Sequence, residues 1–456
     1  MNIYDVTIKN GYIADPERMT VEKGNIGINS GRICTVTDTP ISGRITIDAS
    51  GRIVSPGFID IHAHINGDAV CGKLSLAQGI TTTIGGNCGG GILDVENFFS
   101  RQDSGGFPIN QAQFVGHSFL LRNEAGACDP YVPATKRQIK TMKKLLRQSF
   151  REGAIGVSFG LEYAPGSSFE EVIELSRIAA EYGRLVSIHT RLSGPGELES
   201  LKEAIDISEI TGARVQISHL VYQYGTGIMA PALEMIESAR KSGFDVWADS
   251  GMYTNFATGM NTSVYDPDHI KKFGWKYGSM LVASGKYKGQ YLTESLYHEL
   301  RKSLEDIIVI CFTGVEEEIY DALNADFVVP SSDAGPSPSG NIKEGHPQNS
   351  GTFPRFFREM VHNKNRLSII DAVRKSSLLP AEILGFENKG RIREGADADL
   401  VVFNPDTICD NSDFEIPDRQ PSGIDYVIVN GKISVKNGHV LDNALSGRSI
   451  KYPGAI

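Results

Sequence analysis

The chain has 456 residues, of which 40% are hydrophobic and 22% charged, with a formal net charge of −10. That is enough for a large catalytic core and a smaller domain, with the composition of an ordinary globular enzyme. The negative balance argues against a nucleic-acid partner, and no apolar run is long enough to span a bilayer, so neither nucleic acid nor membrane is expected.

The opening Met1-Asn2-Ile3-Tyr4-Asp5 lacks a charged segment followed by an apolar one, so no signal peptide is expected. Six cysteines without framework spacing point to a reducing compartment, with the cytoplasm as the default. Residues 3–54 alternate short β-rich runs with turns, including Asn10-Gly11 and Ser30-Gly31. Residues 399–403, 425–431 and 432–435 read the same way. The two ends are therefore expected to pair into one β-sandwich domain, 1–55 with 386–456.

Between them, from 56 to 385, strand-like runs alternate with amphipathic helical segments. The runs fall at 57–64, 81–87, 111–118, 153–160, 184–190, 214–220, 245–250 and 326–333. Eight such units predict an α/β fold, a closed (β/α)8 TIM-like barrel. The gap at about 251–325 is too long for one crossover. It carries Tyr253, Tyr265, Trp275, Tyr277, Tyr287, Tyr291 and Tyr297, and reads as an insertion over the barrel mouth that shapes a substrate pocket or as extra helices without ligand contact.

In such a barrel the active site lies at the C-terminal ends of the strands. The first run, Pro56-Gly57-Phe58-Ile59-Asp60-Ile61-His62-Ala63-His64, ends in two histidines on one face, because strand residues two apart point the same way. The second is followed by Gly85-Gly86-Asn87-Cys88-Gly89-Gly90-Gly91. The fifth ends at His189, the sixth at His219 and the eighth at Asp333. A lone buried His or Cys is usually a core residue, whereas these ligand-type side chains all fall on one rim. His62, His64 and Asp333 suit one divalent ion and His189 with His219 a second, with the Cys88 thiolate between them. One ion on Cys88, His189 and His219 also suffices. The fourth strand has no lysine, so a carboxylated-lysine bridge there is excluded. Zinc lowers the pKa of its water to about 7. Asp333 is placed to orient that water and to pass its proton to a departing nitrogen, unless it is only a helix cap after the strand. His117 is a candidate support for the metal, and His346 lies in a loop that can close over the site.

These residues resemble the amidohydrolase superfamily, and within it the D-aminoacylase (N-acyl-D-amino-acid deacylase) branch. The likeness runs along nearly the whole chain, through the first-strand motif, Gly86-Asn87-Cys88-Gly89, His189-Thr190-Arg191, Gln216-Ile217-Ser218-His219, Ser332-Asp333 and Gly351-Thr352-Phe353-Pro354-Arg355. The resemblance implies a zinc-dependent hydrolase of an amide bond, with Cys88, His189 and His219 as main ligands. It implies a second, weaker site at His62 and His64, and Asp333 as catalytic acid/base. Three departures fall in the substrate pocket. Val221 stands where the family usually has lysine, Gln348 where it has arginine, and Gly251-Met252-Tyr253 where it has Tyr-Pro-Tyr. Those losses predict poor binding of a free substrate carboxylate, unless Arg191, Tyr163 and Arg355 supply a substitute clamp; the substrate-binding residues are expected to be Tyr163, Arg191, Tyr253, Gln348 and Arg355. The partner is expected to be a small-molecule amide, with one or two Zn2+ per subunit and a possible homo-oligomer. Two rival readings remain: a cyclic-amide hydrolase or deaminase on the same scaffold, and a non-catalytic scaffold protein.

Overall fold

The structure, a computed structural model, describes residues 3–192, 194–220 and 225–452. Its centre is an eight-stranded sheet of parallel neighbours: Phe58–Asp60, Ile80–Gly85, Asn110–Gly116, Gly156–Gly160, Leu185–His189, Val215–Ile217, Val246–Ser250 and Val328–Pro330. They are called here the first to eighth barrel strands. All but a few of their residues are buried, because helices cover one side and the barrel interior the other. The eighth strand returns to the first just beyond its end. Asp333 N donates to His62 O at 2.9 Å and His64 N to Ala334 O at 2.6 Å, which closes the ring. Each of the eight strand-like runs read from the sequence overlaps one of these strands, the second and third strands starting one residue before the runs at 81–87 and 111–118.

Closure brings the first and eighth strand tips side by side, so His62, His64 and Asp333 become neighbours despite their separation in sequence. Between the strands run amphipathic helices. In Phe169–Glu181 the apolar positions Val172, Ile173, Leu175, Ile178 and Ala179 are buried, and the Ser168 side chain caps the N-terminus by accepting from Glu171 N.

The 251–325 stretch divides in two. Its first part is an antiparallel three-stranded sheet, with Ile308–Phe312 between Asn255–Gly259 and Met280–Val282, and helices Pro267–Phe273 and Glu294–Leu300 beside it. Its last part, Glu316–Asn324, is the crossover helix into the eighth strand. It buries Ile319, Tyr320, Ala322 and Leu323 against the barrel.

The chain ends meet in one nine-stranded sheet. The seam is Ile53–Pro56, which pairs parallel with Ile3–Asp15 and antiparallel with Leu400–Phe403. Its core is aliphatic, including Ile8, Ile26, Ile28, Val54, Leu400 and Ile428. Phe58, under this seam, stacks on Phe353 and Phe357 and meets Phe403 edge-on, joining the barrel to the β domain. A buried Lys389–Asp399 pair at 2.6 Å, with Asn110 Nδ2 donating to Asp399 at 3.0 Å, adds a polar tie.

Candidate metal centre

His62 is fully buried at the first strand tip. Its Nδ1 lies 3.3 Å from Asp249 Oδ1 on the seventh strand, and its Nε2 lies 3.2 Å from Cys88 Sγ and 3.3 Å from Asp333 Oδ1. His64 Nε2 is 3.0 Å from the same Asp333 oxygen. Cys88 Sγ is 3.6 Å from His219 Nε2, and His219 Nε2 is 2.8 Å from His189 Nδ1. The six residues singled out in the sequence therefore form one continuous cluster at the barrel mouth. Their donor atoms make two groups within 4.8 Å, His62 with Cys88 and His219, and His62 with His64 and Asp333.

The backbone is bent to achieve this. Cys88, His219 and Asp333 have φ of 52°, 31° and 53°, in the left-handed region that costs a non-glycine residue energy. Cys88 sits on a turn laid flat across the third and fourth strands. A Cβ at Gly116 would lie 1.7 Å from Gly90 O, and one at Gly160 would lie 2.1 Å from Cys88 O. Only glycine lets the turn come so close.

The electrostatics match the chemistry of the donors. Burial opposes ionisation of Cys88, but the neighbouring His62 and His189 imidazoles override it and hold the thiol well below its ordinary range. Asp333 is likewise held well below the usual carboxylate range, burial being outweighed by His62 and His64. Burial works against charge on His189 and His64, yet Cys88 and the adjoining carboxylates push them up to about 10 and about 9. Thiolate, carboxylate and neutral imidazole are the forms that bind a metal, so binding at these groups would release protons.

A thiolate, several imidazoles and a carboxylate form a zinc donor set. The spacing fits too. Two donors on a tetrahedral zinc, with Zn–S of about 2.3 Å and Zn–N of about 2.0 Å, stand about 3.5 Å apart. Cys88 Sγ to His219 Nε2, at 3.6 Å, meets that value, and Cys88 Sγ to His62 Nε2, at 3.2 Å, falls just below it. His189 Nδ1 and His219 Nε2, at 2.8 Å, stand closer than the about 3.3 Å of two nitrogens on one tetrahedral ion, so those rings would part slightly on binding it.

Three supporting carboxylates escaped the sequence reading. Asp249 accepts from His219 N at 3.0 Å, Gln216 Nε2 at 2.6 Å and Ser331 Oγ at 2.6 Å while facing His62. Asp60 accepts from His62 N at 3.2 Å and from Ser332 N at 3.1 Å. Glu162 Oε2 is 2.7 Å from His189 Nε2. Burial resists its ionisation, but His189 and His269 pull its carboxyl down to about 2. Asp249 lies near the tip of the seventh strand and Glu162 two residues past the fourth. The strand-tip rule that found the histidines would have found both, had it been applied to every carboxylate.

His64, Cys88, His219 and Asp333 of the cluster floor a cavity of about 260 Å³, room for a small molecule. Its walls include Phe119, Tyr163, Ala257, Thr258, Ile308, Pro336, His346, Gln348 and Asn349, so the insertion does line it. Among the described residues, no lysine or arginine does. Of the expected substrate-binding residues, Tyr163 and Gln348 are in the wall. Arg191 is outside, bound to Glu203 at 2.8 Å and to the carbonyls of Pro165 and Ser167. Arg355 is also outside, donating to Met252 O and lying against Tyr253 and Asp410. Tyr253 is turned to Pro347 O at 3.3 Å. Both guanidinium groups are spent on the scaffold. Val221 lies outside the described residues. Gln348 Nε2 donates to Asp333 O at 2.7 Å, and so fixes the Asp333 turn. His346 is a wall residue that burial keeps neutral, down to about 3, with Nδ1 accepting from Gln348 N. His117 is away from the cluster, 2.9 Å from Glu171 within a buried pair with Arg122.

Residues 53–434 match the amidohydrolase family. The chain is 28% identical over 467 residues to the N-acyl-D-glutamate deacylase of Alcaligenes xylosoxydans xylosoxydans, covering 94% of this chain and 93% of that one. It is 28% identical to the D-aminoacylase of the same organism, covering 94% of each. Among solved structures, it resembles the N-acyl-D-glutamate deacylase from Bordetella bronchiseptica, determined with zinc and a phosphonate inhibitor that mimics the tetrahedral intermediate. That likeness has a TM-score of 0.89 at 27% identity, over 99% of this chain and 100% of the other.

Proposed function

The chain belongs to the amidohydrolase family, on its D-aminoacylase branch, and is a metal-dependent hydrolase of a non-peptide carbon–nitrogen bond; we propose that the metal is zinc and the substrate a small amide without a free carboxylate. The observation that carries this reading is the convergence of His62, His64, Cys88, His189, His219 and Asp333 into one continuous cluster, of which His64, Cys88, His219 and Asp333 line a cavity. Cys88, His189 and His219 would hold the principal ion, and His62, His64 and Asp333 a second where one binds. Bound zinc supplies Lewis acidity, which makes hydroxide available near neutral pH and polarises a carbonyl.

The chain's own groups do the rest. Asp333 is ionised and faces the cavity, so it can take a proton from the attacking water and deliver it to the departing nitrogen. Gln348 keeps that carboxylate in place through its backbone carbonyl. Phe119, Ala257, Ile308 and Pro336 supply apolar wall that limits competing water. The six unpaired cysteines favour a reducing, cytoplasmic setting.

Substrate choice follows from the missing cations. A hydrogen bond to a charged group contributes roughly 1.5–3 kcal/mol, so a free carboxylate deprived of two cationic partners loses roughly 3–6 kcal/mol, or two to four orders of magnitude. A screen of zinc-loaded protein against neutral, cyclic and carboxylated N-acyl compounds tests this. Turnover is expected for neutral or cyclic amides. Turnover of N-acetyl-D-methionine with an ordinary KM would contradict it. The products separate the neighbouring chemistries: a ring-opened product marks a cyclic amidase, and ammonia a deaminase.

A further inference from the structure

The loop after the fourth barrel strand lies between the metal cluster and the insertion and touches both. On one side, Glu162 Oε2 holds His189 Nε2 at 2.7 Å, Leu161 N donates to His189 O at 2.9 Å, and the Tyr163 ring packs on the His189 ring at 4.8 Å. On the other side, three insertion residues grip the same loop. His269 Nε2 is 3.2 Å from Glu162 Oε1, Ser263 Oγ donates to Glu162 O, and Thr258 Oγ1 is 3.1 Å from the Tyr163 hydroxyl. His269 is itself fixed by stacking on Phe273 and packing on Trp275. Thr258 and Thr262 beside these contacts are cavity wall.

We infer that Glu162 and His269 are positioning residues that couple the metal-ligating His189 to the insertion, so that metal occupancy and the placing of the cavity wall stabilise one another. Glu162 occupies the outer nitrogen of His189 and leaves Nδ1 turned towards His219 and Cys88. A ring held in that orientation loses less freedom when it binds an ion. The carboxylate's other oxygen faces His269, on the insertion whose Thr258 and Thr262 are cavity wall. Anything that frees the insertion therefore loosens the ligand, and a bound ion tightens the insertion by the same factor, as linkage requires. The inference rests on the zinc reading above.

The test uses the full chain and two measurements besides activity. Zinc affinity is measured by competition with a chromophoric chelator, and hydrogen exchange across 255–275 is compared with and without zinc. His269→Phe keeps a ring to stack on Phe273 and removes the contact to Glu162. Glu162→Gln keeps the shape, and Glu162→Ala removes the support. Loss of such a support typically weakens metal binding ~10–100-fold, which is expected for Glu162→Ala, with Glu162→Gln recovering part of it. In the cobalt-substituted protein the visible spectrum should shift in Glu162→Ala and return towards the native form in Glu162→Gln. Zinc should slow exchange across 255–275 in the native protein and much less in His269→Phe. Native zinc affinity in Glu162→Ala, or equal zinc-linked protection in native and His269→Phe proteins, overturns the coupling alone. A native protein that takes up no zinc overturns the metal reading with it.

Discussion

Gly160→Ala puts a single methyl group against the turn that carries Cys88. The added Cβ would lie 2.1 Å from Cys88 O and 2.8 Å from both Cys88 C and Tyr163 Cδ2. Two of these are backbone atoms, so no rotamer change relieves them. The fourth strand cannot yield easily, because Gly160 N and O both bond the Ser118 hydroxyl, at 3.0 and 2.9 Å. Restoring an ordinary van der Waals separation requires about 1 Å of movement by Cys88, whereas metal–ligand distances tolerate only about 0.2 Å. Overpacking of this kind costs about 1–3 kcal/mol. If the strain is relieved by giving up the thiolate's position, zinc binding weakens ~5–150-fold at 1.4 kcal/mol per decade. A chelator-competition titration reads the affinity, and circular dichroism confirms that the barrel persists. Gly278→Ala is the control, since a Cβ there meets nothing within 4 Å. Native zinc affinity in Gly160→Ala, with turnover unchanged, would refute the claim that the turn's close approach sets the metal site.

Asp333→Asn keeps the shape and tolerates the positive φ of 53°, so the fold and the zinc on Cys88, His189 and His219 should persist while kcat falls ~10²–10⁴-fold; a fall of less than tenfold would remove Asp333 from the proton path. Lys375 is buried and donates to Ala325 O and Val328 O, and burial lowers its ammonium from 10.5 to about 8. Between these values the unfolded chain binds more protons, so native stability should rise from pH 8 to 10.5 by about 3 kcal/mol relative to Lys375→Met. Equal slopes for the two proteins in denaturant titrations across that range would refute it. Phe58→Ala removes a fully buried ring from the stack with Phe353, Phe357 and Phe403, and should cost about 3–5 kcal/mol in chemical unfolding; a loss below about 1 kcal/mol would mean that the barrel and β domain are not joined there.

Much of this molecule was legible because its strongest constraints are periodic. A barrel strand buried on both faces must be short and apolar, and its tip must carry whatever the site needs, so Val186-Ser187-Ile188-His189 announces both strand and ligand. The left-handed turn at Cys88 was visible as a glycine cluster. What escaped depends on contacts between distant segments. Arg191 and Arg355 are arginines in suggestive places, but whether a guanidinium faces the cavity or a nearby carboxylate is decided by packing. Here Glu203 and Asp410 take part in claiming them. The insertion's sheet pairs Asn255–Gly259 with Ile308–Phe312 across some fifty residues, and local composition does not encode such pairing. Glu162 stands two residues past the fourth strand tip, so its candidacy is legible in the sequence, but its place between His189 and His269 is decided by packing.

The central claim is that strand tips far apart in sequence hold a divalent cation at the mouth of the barrel. Anomalous diffraction at the zinc edge from crystals of zinc-loaded protein tests it directly. The account predicts a strong peak within bonding distance of Cys88 Sγ, His189 Nδ1 and His219 Nε2, with any second peak beside His62, His64 and Asp333. A zinc-loaded crystal with no peak among these atoms, or with its only peak elsewhere, would contradict it.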